Sequence, residues 1–108
     1  MNQEEKWLLE EKYGGEKTEG FFTDCERLTF GEPLGYVIGY VPFLNCKIHL
    51  DSKPLIPRPE TEFWVERAIK AIRIRESKST YVLDLCSGSG CVGVSVAKTV
   101  VGIRVDFA

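Results

Sequence analysis

The stretch that decides the fold is YVLDLCSGSGCVGVSVAKTVVGIRVDF, residues 81–107. Its first five residues, 81–85, form a short apolar run that is typical of a strand buried on both faces of a parallel sheet. A glycine-rich turn at 86–90 leads into residues 91–99, whose apolar content and polar end predict a helix. Residues 103–107 then read as a second strand. The order strand, glycine loop, helix, strand predicts a βαβ unit with parallel strands and a right-handed crossover.

The sequence before this unit contains helical patterns followed by strand-like ones. Residues 3–13 predict a short amphipathic helix that ends at a Gly-Gly pair, and one further helical turn is expected at 24–28. β-Branched and aromatic residues at 36–41, followed by an extended pattern at 47–50, predict a β-hairpin.

A longer helix is expected after the hairpin. Pro59 suits the first turn of a helix, where its missing N–H has no partner to lose, and the helix is predicted over 60–75 with a polar loop at 76–80. We therefore expect three parts in the chain. They are an abbreviated helical segment at 1–30, a β-hairpin linker at 31–58 and the first, incomplete part of an α/β domain at 59–108.

Composition and charge exclude several protein classes. The chain has 108 residues, of which 44% are hydrophobic and 28% charged, so a disordered or fibrous protein is not expected. The formal net charge of -2 disfavours a basic nucleic-acid-binding module. No apolar run reaches the length of a membrane span, and the acidic N-terminus lacks the apolar core of a signal peptide. No direct contact with nucleic acid or membrane is therefore expected.

The four cysteines give no metal or disulfide signature. They lack a C-x-x-C pair, so a zinc site is not expected, and free thiols in a reducing cytoplasm fit better. A parallel sheet needs more than two strands and cover on both faces. The chain is therefore expected to be the amino-terminal part of a larger α/β protein.

The glycine loop predicts a ligand site. Gly88, Gly90 and Gly93 match G-x-G-x-x-G, the dinucleotide fingerprint, in the correct place between a strand and a helix. Asp84, at the end of the first strand, would repel a pyrophosphate but would suit the ammonium and sulfonium of S-adenosylmethionine. Three interpretations stay open on these residues: S-adenosylmethionine, a dinucleotide, or a structural cap formed by Asp84. Asp106, 18 residues after Gly88 (106 − 88), is a candidate for binding the ribose hydroxyls.

Three segments together resemble one family. They are residues 35–39 with Phe43, the segment LIPRPETE at 55–62, and VLDLCSGSGC at 82–91. They are similar to the HemK/PrmC family of peptide chain release factor glutamine methyltransferases, and the resemblance covers about residues 31–108. It implies a class I, Rossmann-like methyltransferase fold. It also implies methyl transfer from S-adenosylmethionine to the glutamine amide of the Gly-Gly-Gln motif in a release factor, the protein partner, in the cytoplasm.

The resemblance also assigns site residues. It implies that the cofactor is lined by six residues at the strand end and loop: Asp84, Cys86, Ser87, Gly88, Ser89 and Gly90. It places four more on the cofactor side of the fold or between domains: Arg58, Glu60, Thr61 and Glu62. The resemblance also places the ribose-binding acid just past Ala108, in competition with Asp106.

Two departures from the family limit what this chain is expected to do. Only about 30 residues precede the hairpin, where the family has an N-terminal domain of several helices. The catalytic Asn-Pro-Pro-Tyr motif is absent from the chain, so no catalytic residue is assigned and the chain alone is expected to be inactive. The alternatives are a non-catalytic remnant or interaction module with the same partial fold, and a fragment of a dinucleotide-binding oxidoreductase.

Overall fold

The computed structural model describes residues 1–75 and 80–108, so the polar loop predicted at 76–80 lies largely outside the described residues. The fold is mixed α/β with two small sheets. The chain divides into two compact units, Met1–Tyr40 and Val41–Ala108. The elements in chain order are α1 (Gln3–Tyr13), α2 (Glu19–Thr29), α3 (Leu34–Ile38), β1 (Tyr40–Phe43), β2 (Cys46–His49), α4 (Pro59–Ile74), β3 (Tyr81–Asp84), α5 (Cys91–Thr99) and β4 (Arg104–Phe107).

Local caps define the first two helices. The Asn2 side chain accepts a hydrogen bond from the Glu5 N–H at 2.8 Å, and the Glu5 carboxylate accepts one from the Asn2 N–H, which together form a capping box. Gly14 ends α1 in the left-handed conformation, so the predicted bounds of this helix are confirmed. Thr18 caps α2 by accepting from the Phe21 N–H. The cap explains why α2 spans eleven residues rather than the single turn predicted at 24–28.

The prediction of extended structure at 36–38 is wrong. These residues lie in α3, which follows Pro33 and ends at Gly39, whose φ is 100°. Val37 is 1% exposed and belongs to the same buried cluster as Leu8 and Phe21. Burial of Val37 among helices therefore overrides the β-propensity of this aromatic and β-branched run.

A buried carboxylate joins the helices of the first unit. Asp24 accepts hydrogen bonds from Lys12 Nζ at 2.7 Å, the Tyr13 hydroxyl at 2.5 Å and Arg27 at 2.9 Å. Lys12 also donates to the Val37 carbonyl at the end of α3. Burial alone would raise the pKa of Asp24, but the hydrogen bonds from Lys12, Tyr13 and Arg27 outweigh it and lower that pKa. Burial and the bond to Asp24 raise the pKa of Tyr13 to about 12.

The predicted hairpin is present, with shorter strands than expected. β1 and β2 are joined by a two-residue turn at Leu44 and Asn45, whose φ values of 44° and 65° match a type I′ turn. Cys46 and Ile48, which alternate with exposed residues along β2, are buried, so one face of the strand contributes to the core of the second unit. Lys47 and His49 point to solvent.

The βαβ prediction is confirmed in order and in strand direction. β3 pairs parallel with β4, and Tyr81 stands opposite Arg104 while Asp84 stands opposite Phe107. The helix between them, α5, has the predicted bounds. α4 begins with Pro59 at its first position, with Glu60 and Glu62 in its first turn near the positive end of the helix dipole.

The predicted burial of β3 on both faces is wrong. Tyr81 and Leu83 are 66% and 60% exposed, whereas Val82 and Asp84 are partly buried. One face of the strand is covered and the other meets solvent, because the described parallel sheet has two strands and no layer over that face. None of the helices in the described ranges combines the length and apolarity that crossing a membrane requires.

Candidate functional site

The glycine loop connects the end of β3 to the start of α5. Its backbone turns through left-handed conformations at Cys86, Gly88 and Gly90, with φ values of 56°, 55° and 80°. A Cβ on Gly88 would meet no atom within 4 Å, so the backbone at this position is open to a ligand. The start of the loop is held to β4, since the Ser87 N–H donates to the Ala108 carbonyl at 3.0 Å and the Ala108 N–H donates to the Asp84 carbonyl.

Gly93 allows α5 to lie close to β4. A Cβ at this position would overlap the ring of Phe107 and would stand 3.1 Å from a carboxylate oxygen of Asp84. The third glycine of the G-x-G-x-x-G pattern thus has a packing role, which brings the helix against the strand.

Asp84 forms a cap on α5. Its Oδ2 accepts a hydrogen bond from the Gly93 N–H at 2.9 Å, the third residue of the helix. This bond satisfies a donor that the helix itself leaves unpaired and places a negative charge at the positive helix end. The structural cap that the sequence left open for Asp84 is therefore present, and the same carboxylate also lines a cleft.

This cleft lies beside the glycine loop and has a volume of about 520 Å³. Its walls come from the LIPRPETE segment with α4, from β3, and from the loop with the first turn of α5. Most lining side chains are apolar, and the polar ones come from the LIPRPETE segment (Arg58 and Thr61) and from the strand end and loop (Asp84, Ser87 and Ser89). The residues around it are Leu55, Ile56, Pro57, Arg58, Thr61, Trp64, Ala68, Ile72, Val82, Leu83, Asp84, Leu85, Cys86, Ser87, Gly88, Ser89, Cys91, Val92 and Val96.

Most of the site residues expected from the sequence meet at this cleft. Five of the six loop and strand-end residues line it, and Gly90 is the exception because it serves as the N-cap of α5. Arg58 and Thr61 also line it, and Cys91 is buried at its edge.

Three of the expected residues lie elsewhere. Glu60 is exposed and is not among the lining residues. Glu62 points to the hairpin, where its Oε2 accepts a hydrogen bond from the Leu44 N–H at 3.1 Å. Asp106 is exposed on β4 and forms an ion pair with Arg104 at 3.4 Å.

Sequence reasoning missed most of the wall that α4 contributes. Thr61, which the resemblance implied, is joined on this wall by Trp64, Ala68 and Ile72, and Trp64 is 51% exposed. Their spacing of three and four residues is the signal that could have shown a second apolar face on this helix. Val65 and Ile69, buried in the core, mark the first face.

Metal ligands do not converge in the described ranges, where no group of three or more His, Cys, Asp or Glu side chains is placed to hold an ion. All four cysteines are free thiols. The site is therefore built from a strand-end carboxylate, a glycine loop, a helix amino end and apolar walls.

Comparison with known proteins shows the family to which the chain belongs. No protein-family model matches the chain. A release factor glutamine methyltransferase of Thermodesulfovibrio yellowstonii is 42% identical over 73 residues, which are 68% of this chain and 26% of the relative. The chain belongs to the HemK/PrmC family.

Two further relatives extend the likeness across distant organisms. The probable MRF1 mitochondrial N(5)-glutamine methyltransferase mtq1 of Schizosaccharomyces pombe is 45% identical over 69 residues, or 63% of this chain and 22% of the relative. The release factor glutamine methyltransferase of Chlorobaculum tepidum is 33% identical over 93 residues, or 83% of this chain and 32% of the relative. This HemK/PrmC member thus spans between about a fifth and a third of the length of the relatives it matches.

Proposed function

We propose that this HemK/PrmC member holds S-adenosylmethionine as part of a methyltransferase. The proposed substrate is the glutamine side-chain amide in the Gly-Gly-Gln motif of a peptide chain release factor. The observation that carries the proposal is the meeting of Asp84, the 87–89 loop and Arg58 at one cleft. A glycine loop alone is common to many nucleotide-binding proteins, but the loop and the LIPRPETE segment together resemble the HemK/PrmC family.

The cleft suits a ligand of this size and polarity. Its volume of about 520 Å³ lies within the range of small-molecule sites, which is roughly 300–1,000 Å³. The open backbone at Gly88 gives a ligand direct access to main-chain groups, and the hydroxyls of Ser87 and Ser89 add donors and acceptors. The apolar wall around Leu55 and Trp64 would cover the less polar parts of the cofactor.

The charge at the loop favours a cation over a pyrophosphate. A helix amino end ordinarily attracts anions. Here the Asp84 carboxylate already takes the Gly93 N–H, so it offsets the positive end of α5. The ammonium and sulfonium of S-adenosylmethionine would meet a favourable potential beside this carboxylate, whereas a diphosphate would be repelled.

The cofactor would supply an electrophilic methyl group when bound. The chain's residues would bind and orient it: Asp84 would attract the ammonium, the loop backbone would hold polar groups, and the apolar walls would exclude water. An amide nitrogen is a poor nucleophile, so catalysis in such an enzyme depends mainly on positioning. We assign no catalytic residue to this chain and expect no methyl transfer from it alone.

The setting proposed for this activity is a class I, Rossmann-like domain in the cytoplasm. The parallel β3–α5–β4 unit supports the first part, because a βαβ unit with a glycine loop is the beginning of such a fold. The four free cysteines support the second, because thiols stay reduced in that compartment.

Calorimetric titration of the 108-residue chain tests the proposal. We expect the chain to bind S-adenosylmethionine more tightly than NAD. Asp84→Asn keeps an oxygen acceptor for the Gly93 N–H but removes the charge, so it should weaken S-adenosylmethionine binding by about 10-fold. Equal binding by wild type and Asp84→Asn would contradict the role of the carboxylate.

One observation favours a second candidate, a dinucleotide site. The close approach of α5 to Phe107 at Gly93 is the packing that the third glycine provides in dinucleotide-binding folds. Tighter binding of NAD in the same titration would select this candidate. Binding of neither ligand would instead select the non-catalytic interaction module.

A further inference from the structure

Glu62 stands out because it is the residue of the LIPRPETE segment that contacts the hairpin. It lies in the first turn of α4, and its Oε2 accepts the Leu44 N–H at 3.1 Å. Leu44 is in the left-handed region, with a φ of 44°. A leucine rarely adopts this conformation. The hydrogen bond that Leu44 donates to Glu62 therefore supports a turn position to which leucine is poorly suited.

The hairpin also reaches the second helix of the cleft. β2 packs against α5, and its alternating residues Cys46 and Ile48 are buried. The amino end of α5 contributes Cys91 and Val92 to the cleft. The hairpin thus touches α5 through its strand and α4 through its turn, and both helices carry cleft walls.

A separate contact joins the two helices at their other ends. A guanidinium nitrogen of Arg73 donates to the Thr99 carbonyl at 2.8 Å, which links the last turn of α4 to the last turn of α5. Arg73 follows Glu62 by eleven positions (73 − 62), so the two residues that hold α4 to its neighbours lie about 16 Å apart along the helix. The Glu62 bond acts at the end where Arg58 and Thr61 line the cleft.

We propose that Glu62 is a positioning residue for the cleft. By binding the hairpin turn, it fixes the amino end of α4 relative to the hairpin and, through β2, relative to the glycine loop that precedes α5. Glu62 itself is not among the residues that line the cleft. The ligand of the cleft rests on the proposed function, but the positioning role rests on the contacts of Glu62, the hairpin and α5.

Two conservative variants of Glu62 distinguish the effect of side-chain length from the effect of charge. Glu62→Gln keeps the length of the side chain and an oxygen acceptor but removes the charge. Glu62→Asp keeps the charge but shortens the side chain by one methylene group, which moves the carboxylate about 1.5 Å away from the Leu44 N–H. Glu62→Ala removes both, and Glu60→Ala, which changes an exposed carboxylate in the same first turn of α4, is the matched control.

The first measurement is amide hydrogen exchange of the full chain. We expect faster exchange at Leu44 and at the 86–90 loop in Glu62→Asp and Glu62→Ala, with protection retained in Glu62→Gln and unchanged in Glu60→Ala. The second is calorimetric titration with S-adenosylmethionine, whose binding should weaken about 3- to 10-fold in Glu62→Asp and stay near the wild-type value in Glu62→Gln.

The two measurements distinguish failure of the proposed function from failure of the positioning role. If wild type binds no S-adenosylmethionine, the proposed function is wrong, and the exchange data still decide the role of Glu62. If exchange rises at Leu44 alone while the 86–90 loop is unchanged, Glu62 only stabilises its turn and the positioning role is rejected. It is also rejected if Glu62→Gln behaves like Glu62→Ala. Should Glu62→Ala fail to fold, the Gln and Asp pair gives the same decision.

Discussion

Gly93 sets the distance between α5 and β4 through the absence of a side chain. A Cβ there would overlap Phe107, although alanine is the better helix former by about 1 kcal/mol. The two effects have opposite signs, so one substitution shows which of them dominates. We expect Gly93→Ala to lower the free energy of unfolding by about 1–3 kcal/mol, because overlap in a packed region exceeds helix propensity. Urea unfolding followed by circular dichroism measures this change.

A second substitution at the same contact provides the control. Phe107→Leu removes the ring edge that the new methyl group would meet, so the double variant should lose less stability than the two single changes added together. If Gly93→Ala proves as stable as wild type or more stable, the close approach of α5 and β4 is not as the structure shows it.

At the scale of elements, the Asp24 cluster joins the three helices α1, α2 and α3, which also share one apolar core. Asp24 on α2 accepts from Lys12 and Tyr13 on α1, and Lys12 continues to the Val37 carbonyl on α3. Asp24 is 6% exposed, and a change that removes its charge takes the carboxylate partner from Lys12, whereas Arg27 keeps its ion pair with Glu32. Loss of such a buried partner ordinarily costs more than the bond contributes.

The pH dependence of this cluster has a definite sign. The pKa of Asp24 is lower in the folded state than the usual value of about 3.9, so its stabilising effect is present above pH 4 and is lost as the pH falls through the folded pKa. We expect Asp24→Asn to destabilise the first unit by about 1–3 kcal/mol near neutral pH. The variant should also lose less stability than wild type as the pH falls.

Tryptophan fluorescence can follow this unit alone. The chain has two tryptophans, so Trp64→Phe leaves Trp7 on α1 as the reporter. Urea midpoints of this background at neutral and acid pH, with and without Asp24→Asn, give the required comparison. Glu26→Gln, an exposed change on the same helix, should leave both midpoints in place. An unchanged acid loss in Asp24→Asn would assign the pH dependence to other carboxylates.

Sequence reasoning succeeded or failed on particular elements for physical reasons. The bounds of α1, α4 and α5 followed from caps, a proline and glycines that act within a few residues. α3 was misread as a strand, because its β-branched and aromatic residues carry a local preference that burial of Val37 overrides. The Asp24 cluster joins residues up to 25 positions apart, which no local pattern could have shown.

At the scale of the whole molecule, a row of exposed apolar side chains lies on β3 and at the start of the loop after it. Tyr81, Leu83 and Leu85 are each at least 60% exposed, which is uncommon for a strand of a parallel sheet. We expect the chain to bind an apolar fluorescent dye such as anilinonaphthalene sulfonate in its folded state. Leu83→Thr should reduce the dye signal, because it interrupts the middle of the row.

Val101 supplies the matched control for this prediction. It is 99% exposed but lies apart from the row, in the turn before β4, so Val101→Thr should leave the dye signal unchanged. Equal losses in the two variants would mean that the dye reads exposed apolar area in general. No loss in Leu83→Thr would mean that this row is covered in solution.

The sequence by itself determined the βαβ order, the glycine loop with its strand-end Asp84, and the family. Each of these depends on residues that are close in the chain, where caps, glycines and apolar periodicity act directly. Only the tertiary structure decided that Asp84 caps α5 through Gly93, that Glu62 faces the hairpin and not the cleft, and that α4 presents Trp64 as a cleft wall. These facts depend on which distant segments bury one another, and burial is a property of the assembled fold rather than of any local stretch.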